Sequence, residues 1–403
     1  MVDLLAGALA GVRVLDFTRV LAGPFCAMLL GDLGAEVIKV ENPNGGDDTR
    51  QWGPPYFGEG ESALSAYFVS VNRSKRSLTL NLKTEQGRAI ARQLVADSHI
   101  LIENFKVGGM AEYGLGYDDL KTLHPALVYC SITGYGQDGP YRDRPGYDYA
   151  IQAMSGLMSI TGPADGEPHK VGVAVSDVFT GLFALTSILA ALRHSERTGQ
   201  GQHIDIALLD SQIAALVNVA SNYLVSGQTP PRLGNAHPNI VPYQTFRAAD
   251  RDFVLNVGND RQFRALCRVI GQPALADDPR YTTNPARLEH RAPLVELLSA
   301  AFAQKSAGEW VDALLTAGIP AAPILSVADA LNDPQVQARG LVQQVHTPAG
   351  DLPLVGPPMR LSATPPVVHL PPPALGEHTD AVLRERLNLS DAALADLRAA
   401  GAI

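Results

Sequence analysis

One aspartate, Asp177, stands where a carboxylate could act on a substrate. It directly precedes a long apolar segment, residues 178–193, that is predicted to form a buried helix. The free N–H groups and the dipole at a helix start favour an ionised carboxylate at neutral pH. An ionised carboxylate can act as a covalent nucleophile, but an aspartate before a helix is more often an N-cap. The local sequence therefore favours the cap, and the two roles are compatible.

Metal and disulfide chemistry have little support in the residue spacing. Cys26, Cys130 and Cys267 are far apart and form no CxxC pair, and the ten histidines form no HExxH cluster. We therefore expect neither a disulfide framework nor a bound metal.

The first loop bears on a nucleotide cofactor. A strand-like segment, residues 12–17, precedes the loop TRVLAGP, and a second strand ends at Glu41, as in the first unit of a dinucleotide-binding fold. The loop has one glycine where G-x-G-x-x-G needs three, and the chain has no GxxxxGK[ST] motif. A Rossmann-like sheet without NAD is the resulting expectation, and an NAD dehydrogenase is the weaker competitor.

The elements that must position these residues alternate between strands and helices. The predicted strands are residues 12–17, 36–41, 99–103, 127–133, 171–175 and 203–207. The predicted helices are residues 25–33, 85–96, 148–160 and 178–193. This alternation is typical of βαβ units, so it predicts an α/β fold with a mostly parallel, helix-covered sheet.

A smaller α/β unit is predicted after the segment SGQTPPRLGNAHP, residues 226–238. Its segment YQTFRAADRDFVLNV predicts a hairpin that turns near Asp250 and Arg251. Helices are predicted at residues 262–270, 292–303 and 307–317.

Composition limits the partners. The 403 residues carry a formal net charge of −9, which argues against nucleic-acid binding because phosphate neutralisation needs a basic face. The N-terminal segment with Asp3 lacks the basic leader of a secretion signal. The longest apolar run, residues 178–192, is shorter than the roughly 20 residues that span a bilayer. We expect a cytoplasmic protein that does not enter a membrane.

The ordered motifs resemble one family closely. They are GVRVLDFTRVLAGPFCAMLLGDLGAEVIKVE, DDTRQWGPP, VNRSKRSLTLNLK, LIENFKVGG, SITGYGQDGPYRDRPGYD, SGLMSITG, VGVAVSDVFTGL, TGQGQHIDIALLD and LGEHTD. In this order they resemble the family III CoA-transferases (CaiB/BaiF), which include formyl-CoA transferase and α-methylacyl-CoA racemase. GNAHPNIVPYQTF and VGNDRQF are similar to members that transfer CoA from succinate to hydroxymethylglutarate or glutarate.

The resemblance implies a covalent role for Asp177. In the family the matching aspartate attacks the donor thioester, forms an aspartyl–acyl anhydride and then carries CoA as an aspartyl thioester. It implies that acyl-CoA and a free carboxylic acid, here a dicarboxylate, are the substrates. No metal and no NAD are implied.

The resemblance also implies the residues that contact CoA. They are Leu21, Ala22, Leu80, Lys83, Asn104, Phe105, Thr133, Gly134, Tyr135 and Gly136. Lys83 could pair with a phosphate, while backbone groups at strand ends would hold pantetheine and adenine. By residue type alone, Asn104 and Phe105 are equally well a turn residue and a core aromatic.

Some positions depart from formyl-CoA transferase. Two of its CoA-binding arginines are matched here by Asn42 and Glu112, so other cations must neutralise the phosphates. The candidates from the sequence are Lys39, Lys75, Arg76 and Lys106. Arg19 takes the place of a histidine, and we hypothesise that it binds the distal carboxylate of a dicarboxylic acid; a surface ion pair is the alternative. The turn VGND (residues 257–260) replaces a glycine-rich lid, either as a less mobile lid or as a helix start capped by Asp260.

Two other functions are weighed against CoA transfer. The racemase uses the histidine of a GHD motif, and here the motif is Gly146-Tyr147-Asp148. A tyrosine ordinarily has a pKa of about 10 and is a poor general base at neutral pH, which argues against racemisation. A non-catalytic acyl-CoA-binding protein is the alternative of another class.

The resemblance finally implies the architecture. It is a large Rossmann-like domain from residue 1 to 200, completed by about 345–403, and a small domain at 226–325. Linkers are expected at 201–225 and 326–345. Two such chains would interlock as a homodimer.

Overall fold

A six-stranded parallel sheet lies at the centre of the first of two units in the computed structural model. The structure describes residues 7–60 and 63–403. Asp3, which was weighed above in judging a secretion signal, lies outside the described residues. Unit 1 comprises Met1–Leu157, Val171–Leu224 and Gln335–Ile403, and unit 2 comprises Met158–Lys170 and Val225–Pro334.

The strands are numbered in chain order. They are β1 (Arg13–Asp16), β2 (Glu36–Glu41), β3 (Tyr56–Phe57), β4 (Leu64–Ser65), β5 (Lys75–Thr79), β6 (Ile100–Glu103), β7 (Val128–Thr133), β8 (Gln202–Ala207), β9 (Tyr243–Arg247), β10 (Asp252–Asn256), β11 (Ala321–Pro323), β12 (Val342–Thr347) and β13 (Gly350–Val355).

The helices are numbered in the same way. They are α1 (Ala22–Asp32), α2 (Ala66–Val71), α3 (Glu85–Ala96), α4 (Tyr117–Leu120), α5 (Asp148–Met154), α6 (Leu157–Ile160), α7 (Val175–Thr198), α8 (Leu208–Ala214), α9 (Val217–Ser226), α10 (Asp260–Val269), α11 (Asn284–Glu289), α12 (Arg291–Phe302), α13 (Ala307–Thr316), α14 (Val327–Leu331), α15 (Pro334–Ala338), α16 (Thr379–Leu387) and α17 (Asp391–Ala399).

The strand order of the large sheet determines where a ligand crevice can form. The order is β5-β2-β1-β6-β7-β8, and Val14 of β1 lies in parallel register between Val37 and Ile100. The chain runs from β1 through β2 to β5 at one edge, then crosses to the other side of β1 as β6. In a doubly wound sheet, ligands bind outside the carboxyl ends of the strands where this direction changes. The loops after β1 and β6 therefore flank the expected crevice.

Helices cover both faces of the sheet. Successive side chains of a strand point to opposite faces, and because both faces are apolar here, each packs against helices. Val14 packs in the same core as Ile188 of α7. The next residue, Leu15, packs on the other face with Leu94 of α3 and Leu383 of α16. The C-terminal segment thus completes unit 1, and the predicted α/β fold with a parallel sheet is confirmed.

Helix α7 is a core helix of unit 1. Among the described residues it is the one helix long and apolar enough to cross a membrane by length and composition, and 44% of its most apolar window is buried. Its Gly181 allows a close approach to α1, since a Cβ there would lie 2.7 Å from the carbonyl oxygen of Ala22. The helix has 24 residues, so it is longer than the apolar run that predicts it.

Unit 2 is built on a three-stranded antiparallel sheet in the order β11-β10-β9. The predicted hairpin is confirmed, because β9 and β10 pair on either side of Asp250. A fully buried arginine, Arg287, donates hydrogen bonds to the carbonyl oxygens of Val241 and Tyr281 at 2.7 and 2.8 Å. These bonds satisfy a guanidinium that would otherwise be costly to bury.

Several sequence-based expectations were wrong at the level of elements. Residues 171–175 are not a strand, since the Val171 N–H donates to the side chain of Gln152 rather than to a sheet partner. The predicted helix at 148–160 is divided between α5 and α6 at Gly156, which has a φ of 89°. Strand β5 was missed because its polar Lys75 and Ser77 are buried against polar partners.

The expected linkers also contain regular structure. Residues 201–225 hold β8, which is the sixth strand of the large sheet, and helices α8 and α9. Residues 326–345 hold α14, α15 and the start of β12. Unit 2 further includes Met158–Lys170, a segment expected in the large domain.

Candidate active site

A cavity of about 330 Å³ opens at the carboxyl ends of β1, β6 and β7 in unit 1. Most of the predicted site residues line it: Asp177, Arg19, Leu21, Ala22, Asn104, Phe105, Thr133 and Gly134. The cavity lies where the strand order changes direction, so the topology and the predicted residues identify the same place.

Asp177 is not the N-cap of α7. The helix begins at Val175, so Asp177 is its third residue. The capping oxygen comes from Asp148 of α5, which accepts the N–H of Ser176 at 2.8 Å. Gln152 donates to the other carboxylate oxygen of Asp148 at 2.7 Å and holds it in place. Because Asp148 performs the capping, the carboxylate of Asp177 is available for chemistry.

The environment of Asp177 makes its ionised form costly. Burial, followed by the repulsion of Asp148, raises the pKa of Asp177 to about 7. Within residues 7–60 and 63–403, no side chain or backbone N–H donates a hydrogen bond to this carboxylate. Burial and the same two carboxylates raise the pKa of the nearby Tyr67 to about 12. The expectation that the helix start keeps Asp177 ionised was therefore wrong in direction.

The first loop is fastened to the loop after β6. The Arg19 N–H donates to the Asn104 side-chain oxygen at 3.0 Å, and the Asn104 amide donates back to the Arg19 carbonyl at 2.7 Å. Between Arg19 and Leu21, Val20 has a φ of 73°. A β-branched residue rarely adopts this left-handed conformation, and doing so costs about 1–3 kcal/mol. The loop thus carries strain at the wall of the cavity.

Arg19 itself stays accessible. Its guanidinium lies 3.6 Å from the Asp48 carboxylate, and both side chains are at least half exposed. It also lies 5.8 Å from the centre of the Phe105 ring. An exposed ion pair at this distance is weak, so the side chain can turn toward an anionic ligand at little cost.

Leu80 and Lys83 lie at a second cavity of about 260 Å³ beside the first. Arg19 and Phe105 line both cavities, so the two form one continuous region of the carboxyl edge.

Tyr135 and Gly136 do not line either cavity in the described structure. The Tyr135 hydroxyl donates to the sulfur of Met154 at 3.2 Å, and the Gly136 N–H donates to the Thr133 hydroxyl at 2.9 Å. Their predicted contact with CoA has no geometric support in unit 1.

The cations selected from the sequence are mostly unavailable to a ligand. Lys39 and Lys75 are fully buried and pair with Asp47 and Asp16 at 2.9 and 3.0 Å. Both lie on strands of the large sheet, and their side chains point into a buried polar cluster instead of solvent. The expectation that they bind phosphate was therefore wrong.

The other two candidate cations are also engaged by carboxylates. Arg76 bonds to Glu36 and Glu385 at 3.2 and 2.7 Å. Lys106 pairs with Glu112 at 2.7 Å, but both of these side chains remain exposed and Lys106 lines the first cavity.

Two arginines of the cavity were missed by sequence reasoning. Arg142 and Arg144 line it from the loop before α5. The guanidinium of Arg144 lies 3.8 Å from the centre of the Tyr141 ring. This loop lies close to β7, because a Cβ on Gly134 would be only 2.6 Å from the Cα of Gly146. The two arginines of the RDR segment in GPYRDRPGYD could have indicated this anion-binding potential from the sequence.

The VGND turn belongs to unit 2. Asn259, rather than Asp260, caps α10 by accepting the Gln262 N–H at 3.0 Å. Asp260 instead pairs with the buried Arg287 at 2.8 Å. The expectation that Asp260 is the cap was wrong, and the turn is held at both ends.

Among the described residues, no group of three or more His, Cys, Asp or Glu side chains could hold a metal ion. The three cysteines are free and buried, and burial raises the pKa of the Cys26 thiol well above its usual range.

Comparison with known proteins identifies the family of this chain. The model of CoA-transferase family III matches residues 9–379. A succinate–glutarate CoA-transferase of Agrobacterium fabrum is 51% identical over 94% of this chain and 95% of its own length. A Homo sapiens succinyl-CoA:glutarate CoA-transferase is 44% identical over 98% of this chain and 90% of its own. A crystal structure of a CaiB/BaiF family protein from Brucella suis is similar with a TM-score of 0.84 and 47% identity, covering 94% of this chain and 100% of that one. The chain therefore belongs to CoA-transferase family III and is an enzyme of that family.

Proposed function

We propose that the protein transfers CoA from succinyl-CoA to a dicarboxylic acid with a five-carbon main chain, glutarate or hydroxymethylglutarate. The observation that carries this proposal is the presence of an accessible guanidinium, Arg19, in the same cavity as Asp177. The curated relatives named for succinyl-CoA and glutarate support the choice of acids. A dicarboxylate offers one carboxyl group for reaction and a second for a planar, charge-assisted pair with Arg19.

The exchange proceeds through covalent intermediates on Asp177. Its carboxylate oxygen attacks the thioester carbonyl of succinyl-CoA, the C–S bond breaks, and CoA thiolate leaves an aspartyl–succinyl anhydride. The thiolate then attacks the aspartyl carbonyl, which releases succinate and forms an aspartyl-CoA thioester. Glutarate attacks this thioester, thiolate leaves again, and an aspartyl–glutaryl anhydride forms. Attack of thiolate on the glutaryl carbonyl gives glutaryl-CoA and restores the carboxylate, so no proton is consumed overall.

The surroundings of Asp177 favour this chemistry once the group is ionised. A carboxylate with a pKa of about 7 is more basic than an ordinary one, and nucleophilic strength rises with basicity. The lack of hydrogen-bond donors to it among the described residues leaves its lone pairs open to the thioester.

The CoA chain is proposed to follow the carboxyl edge of the sheet. Leu21, Ala22, Asn104, Phe105, Thr133 and Gly134 are the proposed contacts of the pantetheine arm in the first cavity. Arg142 and Arg144 are the proposed partners of the phosphates, because no carboxylate bonds to Arg144 in the described structure and Arg142 has only an exposed Asp143 at 3.6 Å. Leu80 and Lys83 would contact the nucleotide end from the second cavity.

A homodimer is proposed as the working state. Helices α7 and α9 expose large apolar side chains of unit 1, including Phe183 at 42% and Leu224 at 79% exposure. Apolar side chains grouped on neighbouring helices commonly mark a protein interface. A second copy of the chain is the proposed partner, as the family resemblance implies.

The experiment that tests the function combines turnover with chemical trapping. The protein is incubated with succinyl-CoA and glutarate, and glutaryl-CoA is measured by liquid chromatography. In parallel, enzyme with succinyl-CoA alone is treated with hydroxylamine or borohydride and digested for mass spectrometry. We expect the wild-type protein to form glutaryl-CoA and to be modified at Asp177. The Asp177→Ala variant should show neither the product nor the modification.

Other outcomes would separate the competing functions. Binding of CoA without turnover or trapping would favour the non-catalytic acyl-CoA-binding protein. Exchange of the α-proton of a branched acyl-CoA with solvent, without transfer, would favour racemisation. Turnover with a modification elsewhere in the chain would contradict the role of Asp177.

A further inference from the structure

A buried ion pair lies directly beneath the strained first loop. Lys39 of β2 and Asp47 have fully buried side chains, and the Lys39 Nζ lies 2.9 Å from Asp47 Oδ2. The same ammonium donates to the carbonyl oxygen of Thr18 at 2.8 Å. Burying two charges is expensive and is rarely justified by stability alone. The groups that this pair holds are therefore informative.

The Asp47 side chain is hydrogen-bonded to the backbone of two segments that flank the Arg19 side chain. Its Oδ1 accepts the N–H of Val20 at 3.3 Å, and it also accepts the N–H of Thr49 at 3.0 Å. Val20 is the residue in the left-handed conformation, and Asp48, which follows Asp47, is the ion-pair partner of Arg19. One carboxylate oxygen thus ties the backbone on each side of the guanidinium.

We infer that Asp47 is a positioning residue that, held by Lys39, keeps Val20 in its left-handed conformation and thereby sets Arg19 and Leu21 at the cavity. This inference rests on the proposed function, because its effect is measured as CoA transfer. A regular β or α conformation at Val20 would turn the Val20 N–H away from Asp47 and redirect the residues on either side. Neither Asp47 nor Lys39 touches the substrate in this assignment.

The pair acts as a constant clamp and not as a pH switch. Asp47 faces Lys39 and Glu41 from β2, and Asp16 and Lys75 lie in the same buried cluster. Burial opposes ionisation of Asp47, but Lys39 and the hydrogen bonds from Thr49 hold its pKa below the usual range. The Glu41 carboxylate also accepts the Asp47 N–H at 3.1 Å and is bound by Arg50.

A glycine at position 20 provides a specific test. Glycine adopts a positive φ without strain, so Val20→Gly removes the need for an external hold on the backbone. Lys39 and the Val20 N–H donate to separate oxygens of Asp47, and Asp47→Asn turns one of these acceptors into a donor. In the native background we therefore expect Asp47→Asn to lower kcat/KM for succinyl-CoA and glutarate by about tenfold or more, the size that corresponds to the backbone strain at Val20. In the Val20→Gly background the same substitution should cost less than about threefold. Each double variant is compared with Val20→Gly itself, so any effect of losing the valine side chain cancels.

Asp32→Asn is the matched control. Asp32 is also buried and is paired with an arginine, Arg73, at 2.6 Å. It lies at the end of α1 and does not line either cavity. Its effect on kcat/KM should be the same in both backgrounds. Equal losses for Asp47→Asn in both backgrounds would overturn the inference and leave Asp47 as one more buried structural charge.

Two further measurements keep the test decisive. The affinity for CoA, measured by calorimetry, depends on the position of the first loop and does not require an acceptor acid. It therefore tests the role of Asp47 even if glutarate proves to be the wrong acceptor. If Asp47→Asn does not fold, Lys39→Met is used in the same comparison. Recovery of folded, active protein only in the Val20→Gly doubles supports the clamp, and doubles that fail like the singles contradict it.

Discussion

At the scale of single residues, the raised pKa of Asp177 sets how activity should depend on pH. The nucleophile must be ionised, and its pKa in the free enzyme is about 7. We expect kcat/KM to rise about tenfold per pH unit below pH 7 and to level off above it. The acceptor acid is already ionised in this range, since carboxylic acids have a pKa of about 4. A profile of kcat/KM that is flat between pH 5.5 and 8 would contradict the prediction.

Arg19 should distinguish acyl groups with a distal carboxylate from those without one. We expect Arg19→Ala to slow single-turnover succinate release from succinyl-CoA by about 10- to 100-fold, the usual effect of losing a charge-assisted hydrogen bond. Butyryl-CoA, in which a methyl group replaces that carboxylate, should change by less than about threefold. Rapid-quench kinetics of the first half-reaction measures both.

The control for Arg19 is an exposed arginine in the same unit. Arg398 is paired with Asp380 on the C-terminal helices, so Arg398→Ala should leave both rates unchanged. Equal losses for succinyl-CoA and butyryl-CoA in Arg19→Ala would assign Arg19 to the CoA moiety instead of the acid.

At the scale of elements, the start of α7 depends on α5. Asp148 supplies the cap, so Asp148→Ala should destabilise the protein by about 0.5–2 kcal/mol in urea denaturation. Removing this like charge should also lower the pKa of Asp177, and the midpoint of the pH–rate profile should move to lower pH. Asp148→Asn distinguishes the two effects, because it keeps an acceptor oxygen for Ser176 while it loses the charge and the acceptor for Gln152. A midpoint unchanged in both variants would show that burial alone sets the pKa.

The periodicity of the sequence predicted the elements that bury apolar faces. Strand β2 and helix α3 were predicted with the bounds observed, because their patterns match the sheet core and an amphipathic helix. Strand β5 was missed for the opposite reason. Its Lys75 and Ser77 look like surface residues, and only the partners Asp16 and Glu41 from neighbouring strands explain their burial.

The same limit applies to the candidate site. The motif order identified Asp177, but only the structure reveals that Asp148, 29 positions earlier in the chain, caps the helix and raises the pKa of Asp177. Lys39 looked like a phosphate ligand because charge alone does not indicate whether a side chain on a strand faces solvent or a buried carboxylate. Contacts between distant segments decide these roles, and local patterns do not encode them.

At the scale of the whole molecule, the outer face of α7 should determine the oligomeric state. One face of this helix packs on the sheet, and its outer face leaves Leu182 and Phe183 about 40% exposed (40% and 42%). An interface that persists in solution usually buries more than about 1,000 Å² with an apolar centre. Placing one charge in such a centre is strongly unfavourable, so we expect Phe183→Glu to convert the proposed dimer into monomers of 42.8 kDa.

Sedimentation velocity over a range of protein concentrations measures this change. Leu123→Glu is the matched control, because Leu123 is 65% exposed in unit 1 and lies after α4 instead of on α7. Only the substitution on α7 should shift the mass. Because α7 also carries Asp177, separation of the chains should lower kcat even though Phe183 lies about 1.7 helical turns after the nucleophile. A wild-type protein that sediments as a monomer and still transfers CoA would show instead that one chain forms the complete site.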